Sequence, residues 1–406
     1  MDINVHDPDT YVAGIPYEQF RWLRAHSPVH WHAEPKGRGF WAITKYSDIV
    51  AISRDPHTFS SARGATFIHD PEPDDLAGMQ MMLLNMDPPQ HTRFRNIIKS
   101  AFLPKVIMGL EPKIRATVRN IVDSIADRGE CDFVRDVAAE LPLQVIADML
   151  SVPIEDRQKV FAWSNLMVGY DDPEYQQSFD DGRAAAMEMW SYAGELGQKR
   201  FENPGDDLVS LLMKSVVDGG LAAMEFASFF MLLIVAGNET TRNAISAGML
   251  TLMEHPEEVA KLRAHPELLP SAVEEILRWC PPLIAFRRTA MRDTEIRGVK
   301  IKENDKVVLF YPSANRDEEV FANPDVFDVS RTPNDHLSFG IGQHVCLGLN
   351  LARMEMRLMF QELLGRFSEI ALSGPPRRLR SNFTNTTKTM SVRYVRAATA
   401  AAPQAG

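Results

Sequence analysis

The sequence predicts a mainly α-helical fold, one large helical domain with small peripheral β-sheets. Apolar residues recur at helical spacing through most of residues 91–361. Strand-like patterns are confined to short stretches near the N-terminus and within 294–311. No Gly-rich turn opens a βαβ unit and no Walker-type loop is present, so a nucleotide-binding parallel sheet is not expected.

In chain order, residues 16–26 read as a helix and the stretches around 29–31 and 39–44 as short strands. Residues 60–89 are rich in Pro, Asp, Met and Gly without clear periodicity, which inside a compact enzyme marks a functional loop more often than a linker. Helical periodicity follows at 113–127, 141–149, 183–201, 224–255 and 269–279. A β segment interrupts it, with a hairpin over 295–301 and a strand over 307–311, before a strongly helical stretch at 349–364. One domain is expected over 1–398, with 399–406 a disordered tail.

The chain has 406 residues, 45% hydrophobic and 24% charged, ordinary values for a globular protein. With 44 Lys+Arg against 54 Asp+Glu the formal charge is −10, which argues against nucleic acid as a partner. Three cysteines make no disulfide framework and fit a reducing, cytoplasmic setting. The N-terminus lacks the pattern of a signal peptide, and the apolar run Phe-Phe-Met-Leu-Leu-Ile-Val-Ala-Gly ending at Gly237 is about half of the ~20 residues a membrane span needs. No membrane anchor is expected, and a monomer is.

The most restrictive segment is Phe339-Gly-Ile-Gly-Gln-His-Val-Cys-Leu-Gly348. Glycine permits positive φ and the close approach of a flat ligand. Cys346 sits just before a helix, where backbone amides and the helix dipole stabilise a thiolate. A thiolate held that way suits an axial haem ligand. Taken alone, a cysteine in a Gly-rich turn more often has a buried structural role. Cys131 and Cys280 lack this context and read as structural.

Together this spacing resembles the haem-binding signature of the cytochrome P450 family, matched at Phe339, Gly340, Gly342, His344, Cys346 and Gly348. The resemblance covers nearly the whole chain, in the family's order. It implies haem b as cofactor, with Cys346 as the iron ligand that favours O–O cleavage.

Further segments match. Ala236-Gly-Asn-Glu-Thr-Thr241 places an acid and two threonines amid apolar helix, which costs desolvation unless they are paired or hydrated. Ala236 and Thr240 share a face. A threonine hydroxyl can bond the carbonyl four residues back and open a groove beside Ala236 and Gly237. On residue grounds alone this could be a polar break with Glu239 salt-bridged. It resembles the family's Ala-Gly-x-(Asp/Glu)-Thr, which implies that Glu239 feeds protons and Thr240 holds the oxygen-bound water. Here the acid is Glu rather than the commoner Asp.

Glu275-Ile-Leu-Arg278 resembles the family's Glu-x-x-Arg. The resemblance gives it a structural role with Arg331, where an isolated i, i+3 pair would be worth little. The two haem propionates need cations, and an arginine fork suits a carboxylate. His91, Arg95, Arg288 and His344 jointly match the family's propionate ligands. The Arg-x-Ala pattern favours Arg288 over Arg287.

Phe67, Met82, Leu83, Val235, Ala236, Ile284, Phe286 and Thr384 occupy positions that face substrate in the family. They are mostly apolar with no cation, so the expected substrate is a neutral hydrophobic small molecule. The stretches 284–295 and 308–319 resemble bacterial enzymes acting on steroids, terpenoids and similar hydrocarbons. The resemblance implies a monooxygenase using O2. No fused reductase is expected, so electrons should come from an iron–sulfur ferredoxin and an NAD(P)H-dependent ferredoxin reductase. Arg93, Lys99, Lys105, Arg353 and Arg357 could form the docking patch. Two other readings are a haem-containing sensor without turnover and a peroxide-driven peroxygenase. Both fit the intact Glu239–Thr240 pair less well.

Overall fold

The computed structural model describes residues 1–35, 37–176 and 179–398. The expected tail, 399–406, lies outside the described residues. The helices are α1 Tyr17–His26, α2 Tyr46–Arg54, α3 Pro73–Met79, α4 Gln90–Ile98, α5 Pro104–Ile125, α6 Glu140–Met149, α7 Arg157–Val168 and α8 Phe179–Glu202. They continue with α9 Leu208–Val217, α10 Ala223–Glu254, α11 Pro256–Ala264, α12 Leu269–Trp279, α13 Tyr311–Ala314 and α14 Leu349–Arg366. The strands are β1 Val29–His32, β2 Phe40–Ile43, β3 Phe59–Ser60, β4 Glu130–Asp132, β5 Ala285–Ala290, β6 Thr294–Ile296, β7 Val299–Ile301, β8 Lys306–Phe310, β9 Phe367–Leu372, β10 Arg377–Arg378, β11 Thr387–Thr389 and β12 Ser391–Arg396. The mainly helical expectation holds.

Helix α10 is the axis of the largest core. Phe229, Phe230, Ile234, Ile245 and Leu252 are buried along it, against Ile146 of α6, Met189 of α8, Ile276 of α12 and Phe360 of α14. A five-stranded sheet in the order β1-β2-β8-β5-β3 forms the second layer, parallel only at β2–β8. The hairpin β6–β7 turns at Arg297 and Gly298, both at positive φ (49° and 80°), the geometry of a tight two-residue hairpin turn.

Some elements depart from the sequence reading. Helix α5 begins at Pro104, not at 113, and runs through Pro112. An internal proline costs roughly 3 kcal/mol. The buried stripe Ile107, Ile114, Val118, Ile121, Val122 and Ile125 spans both sides of Pro112, and its burial outweighs that cost. The 60–89 stretch is not wholly irregular. Pro73 supplies the first turn of α3, with Asp74 and Asp75 at its positive end. The C-terminal sheet β4-β12-β9 was not anticipated, since its strands are far apart in sequence.

Candidate functional site

The loop around Cys346 is fixed before any ligand is considered. The Gly340 N–H donates to Leu337 O at 2.8 Å and the Cys346 N–H to Phe339 O at 2.8 Å. Gly342 has φ +76°, and a Cβ there would stand 2.5 Å from the Ser53 carbonyl oxygen of α2. Only glycine lets this loop lie on α2. The Phe339 ring is covered by the Arg353 guanidinium at 4.7 Å, and Arg353 is itself held by Glu274 at 2.7 Å.

Burial pushes the Cys346 thiol above its usual range, while the Gly348 N–H, Arg95 and Arg353 pull it down. The amide help expected from the helix start is present, but burial outweighs it. A thiolate here therefore needs a further positive charge.

Beside the loop, His91 and His344 stand 4.3 Å apart, ring centre to ring centre. Burial and Arg95 lower His91 to about 4. Burial, Arg288, His91 and Arg95 lower His344 to about 2. Both Nε2 atoms are buried without a hydrogen-bond partner. Arg288 donates to the Arg287 carbonyl at 2.8 Å and makes no ion pair among the described residues. Asp87, the acid that acts on both His91 and Arg288, is already bonded to Ser60 and Ser61. So four cationic or potentially cationic side chains converge with no free carboxylate, and the orphaned ring nitrogens point to an anionic ligand. This donor set fits a planar group with two carboxylates next to the half-buried Cys346.

Strand alternation separates the two neighbouring arginines. Arg287 turns to the other face of β5, onto the His69 carbonyl (2.9 Å) and Asp70 (2.7 Å). That leaves Arg288 on the same face as Phe286.

Helix α10 is buried almost throughout, yet Val235, Ala236, Gly237 and Thr240 keep accessible surface. The Thr240 hydroxyl donates to the Ala236 carbonyl at 2.8 Å, the back-bond foreseen from the sequence. Glu239 is 2% exposed, and burial raises its carboxyl although Arg242 pulls it down. Arg242 bonds Glu239 directly and donates to Asn165 Oδ1 of α7 at 2.8 Å. Arg242 was missed from the sequence, although Glu239-Thr-Thr-Arg242 repeats the spacing of Glu275-Ile-Leu-Arg278.

The structure brings Glu275, Arg278 and Arg331 together. Arg278 donates to Glu275 at 2.7 and 2.8 Å and Arg331 at 3.1 Å, with Asn334 and the Asp328 N–H as further donors. Both Glu275 and Arg278 are fully buried.

Among the residues expected to face substrate, Phe67 packs edge-on to Tyr170 at 4.6 Å, and Phe286 lies 5.7 Å from Phe383. Met82 and Val235 are half-buried, and Leu83 and Thr384 are buried. Ile284 is fully buried in a core with Val308 and Phe310 and presents no accessible surface. Of the five basic residues, Arg93, Arg353 and Arg357 are ion-paired to Glu225, Glu274 and Glu111. Lys99 and Lys105 are exposed with no ion pair among the described residues. No helix among the described residues is long and apolar enough to cross a membrane.

The family model "Cytochrome P450" matches residues 129–393. The chain belongs to the cytochrome P450 family. It is a haem b monooxygenase of that family. The steroid C26-monooxygenase of Mycobacterium tuberculosis is 42% identical to this P450 over 402 residues, 96% of this chain and 92% of the relative. The methyl-branched lipid omega-hydroxylase of the same organism is 43% identical over 365 residues, 88% and 85% of the two chains. A Mycobacterium marinum cytochrome P450 solved in complex with pseudoionone superposes with a TM-score of 0.90 at 37% identity, covering 97% of this chain and 98% of that one.

Proposed function

We propose that this P450 hydroxylates an apolar, branched substrate of the steroid or terpenoid type near a chain end, drawing electrons from a separate ferredoxin and its NAD(P)H-dependent reductase. The names of its relatives support the class and the position: a steroid C26-monooxygenase, a methyl-branched lipid omega-hydroxylase, and a neighbour holding pseudoionone. The mostly apolar residues Phe67, Met82, Leu83, Val235, Ala236 and Phe286 are the ones that would meet such a molecule, with Thr384 and Ile284 behind them.

When bound, haem supplies the redox chemistry that activates O2. Cys346 would hold the iron, with Phe339, Gly340 and Gly348 shaping the loop around it. His91, Arg95, Arg288 and His344 would hold the propionates, which supply the negative charge their cluster lacks. Glu275, Arg278 and Arg331 brace the segment leading into the cysteine loop. The observation that carries the oxygenation reading is the accessible face of the unbroken helix α10 at Ala236, Gly237 and Thr240. Thr240 turns its hydroxyl onto the Ala236 carbonyl on an accessible face, next to an acid that burial inclines to the neutral form. Thr240 would orient water there and Glu239 would store and release the proton. Lys99 and Lys105 are the unpaired cations that an acidic ferredoxin could meet.

The test is a substrate screen on the holoenzyme. Steroids with a branched side chain and acyclic terpenoids should shift ferric iron from low to high spin. Product should form with NAD(P)H, ferredoxin and reductase but not with peroxide alone. Binding only by straight-chain fatty acids, or turnover with peroxide undiminished by Thr240→Ala, would overturn the reading. The reduced carbon monoxide complex should absorb at the red-shifted Soret position of sulfur ligation, and Cys346→Ser should lose it.

A further inference from the structure

Helices α7 and α8 hold two oxidisable rings that the oxygenation chemistry does not use. Trp163 of α7 and Tyr192 of α8 stand 5.9 Å apart, ring centre to ring centre. Each donates to an acid at the other helix. The Tyr192 hydroxyl bonds Asp156 Oδ2, just before α7, at 2.9 Å, and the Trp163 Nε1–H bonds Glu188 Oε2 of α8 at 2.8 Å. Of the eight tyrosines, Tyr192 alone donates to a carboxylate among the described residues. Tyr11, Tyr17, Tyr46 and Tyr394 donate to backbone carbonyls. Such bonds tie two helices together wherever they occur. What sets this pair apart is the charge around it and the line of rings that leads from it.

The charge favours loss of an electron. Glu155 and Glu195 act on Tyr192 as well as Asp156, and with burial they hold its phenol well above the usual range. Negative charge that opposes a phenolate stabilises a ring that has lost an electron, by the same Coulomb attraction. Oxidation makes a phenol a strong acid, and Asp156 already lies on the hydroxyl to take its proton. Lys159, a cation 4.8 Å from the centre of the Trp163 ring, is exposed and screened by solvent. Tyr311 is the contrast. It is buried, feels the Arg288 cation and donates to no carboxylate among the described residues, so oxidation there is opposed.

The line of rings runs toward the propionate cluster. Tyr192 lies 6.1 Å from Phe230 of α10, and the adjacent Phe229 stacks on Phe94 of α4 at 5.4 Å. Phe94 sits between His91 and Arg95 on α4, and all three phenylalanines are buried. Phenylalanine is too hard to oxidise to hold the charge, so these rings serve as a dry bridge and Tyr192 is the first stop.

We propose that Tyr192 and Trp163 form a protective electron exit, which fills an oxidised haem from the surface when no substrate is there to be oxidised. This rests on haem lying at His91 and Arg95. First, Tyr192 gives one electron to the haem and its phenolic proton to Asp156. Next, Trp163 gives one electron to Tyr192, Asp156 returns the proton to the phenol, and the indole proton moves to Glu188. Last, a soluble thiol gives one electron to Trp163, Glu188 returns the indole proton, and the thiol proton enters solvent. Two passes consume two thiols, which leave as one disulfide. The two protons released balance those taken up at the haem with the two electrons.

Freeze-quenched electron paramagnetic resonance of ferric holoenzyme mixed with a peracid, without substrate, reads the first stop. A tyrosyl signal should form, vanish in Tyr192→Phe and remain in Tyr311→Phe. Asp156→Asn should weaken it, because the amide cannot take the proton. Added thiol should shorten its life in the wild type, and far less in Trp163→Phe. During oxygen-dependent turnover without substrate, Tyr192→Phe should bleach its haem several-fold sooner, with Tm and the carbon monoxide spectrum unchanged. The proposal falls if the wild type forms no tyrosyl signal or if the signal survives Tyr192→Phe. It also falls if thiol quenches the signal equally in Trp163→Phe. Haem placement is judged separately: full haem retention in Arg95→Met would overturn the placement itself, whereas weakened retention with no signal at Tyr192 would overturn only the exit.

Discussion

Replacing Glu275 by Gln tests what the buried ion-pair network contributes. The Glu275 carboxylate is fully buried and accepts from five donors: Arg278 Nε and Nη2, Arg331 Nε, Asn334 Nδ2 and the Asp328 N–H. Glutamine keeps the shape but removes the charge and turns one acceptor into a donor facing donors. Arg278, fully buried as well, would keep the carbonyls of Asn315, Pro324 and Val326 and at most one of its two bonds to residue 275, with no charge to meet its own. Leaving one partner of such a pair uncompensated costs about 3–5 kcal/mol. At about 2.1 cal/mol/K per residue, the 406-residue chain has an unfolding entropy near 0.85 kcal/mol/K, so Tm should fall by about 4–6 °C. The loop bearing Cys346 follows the network's residues in sequence, so the fraction showing the sulfur-ligated carbon monoxide spectrum should fall too. Glu18→Gln is the internal control. Its pair with Arg21 is exposed at 73% and 45%, and the substitution should leave Tm unchanged. Calorimetry of both holoenzymes decides. If Glu275→Gln melts within a degree of the control, the network does not brace this fold and the reasoning is refuted.

Gly342→Ala should lower haem incorporation, because the residue would sit at φ +76° with its Cβ against the Ser53 carbonyl. Full incorporation with an unchanged Tm would count against that packing. Arg288→Met should weaken haem retention in a transfer assay to apomyoglobin, while Arg287→Met should leave retention intact and instead loosen the Ile68–Asp70 segment to proteolysis. Equal effects on retention would undo the face assignment. Asp171, beside Tyr170 where it packs on Phe67, is raised by burial to about 6, with Arg380 pulling it down and Asp7 pushing it up. A carboxyl held above its unfolded value, about 3.9, stabilises most at low pH and loses that contribution as pH rises through about 6. Holoenzyme Tm should therefore fall between about pH 4 and 6 in the wild type, and Asp171→Asn should flatten that part of the change.

The site was legible where chemistry is packed into short spacing. The loop from Phe339 to Gly348, the Glu239–Thr240 pair and Glu275–Arg278 each declare themselves within a few residues, and the structure places them in the geometry those spacings imply. What stayed hidden depends on distant partners. Arg287 is committed to Asp70, 217 residues away, and no local pattern shows it. The patch of cations shrinks because Glu225, Glu274 and Glu111 arrive from other helices. The helical pattern read from 113 onward, whereas α5 begins at Pro104 and runs through Pro112, carried by a buried stripe of isoleucines and valines. At Cys346 the sequence shows the amides and not the burial, which decides the net direction.

The two Glu-x-x-Arg pairs show how environment, rather than spacing, divides structure from chemistry. Both pairs sit at i, i+3 on buried helix faces with both side chains nearly inaccessible. Glu275 accepts from five donors on four residues, so any rotation breaks several bonds at once and the pair behaves as a fixed joint. Glu239 accepts from Arg242 and, weakly, from Asn238, and its arginine keeps an unbonded Nε. Moving Glu239 breaks one buried ion pair and one weak bond, against bonds from five donors at Glu275, and burial favours the neutral form of its carboxyl. The same four-residue spacing thus yields a crowded acid at Glu275 and a sparsely held one at Glu239. By this argument Arg278→Lys should lower Tm with no change in solvent isotope effect. Arg242→Leu should change the isotope effect with a smaller loss of Tm. Differential scanning calorimetry paired with turnover in H2O and D2O separates the two, and a reversed pattern would show that donor number does not govern which acid moves.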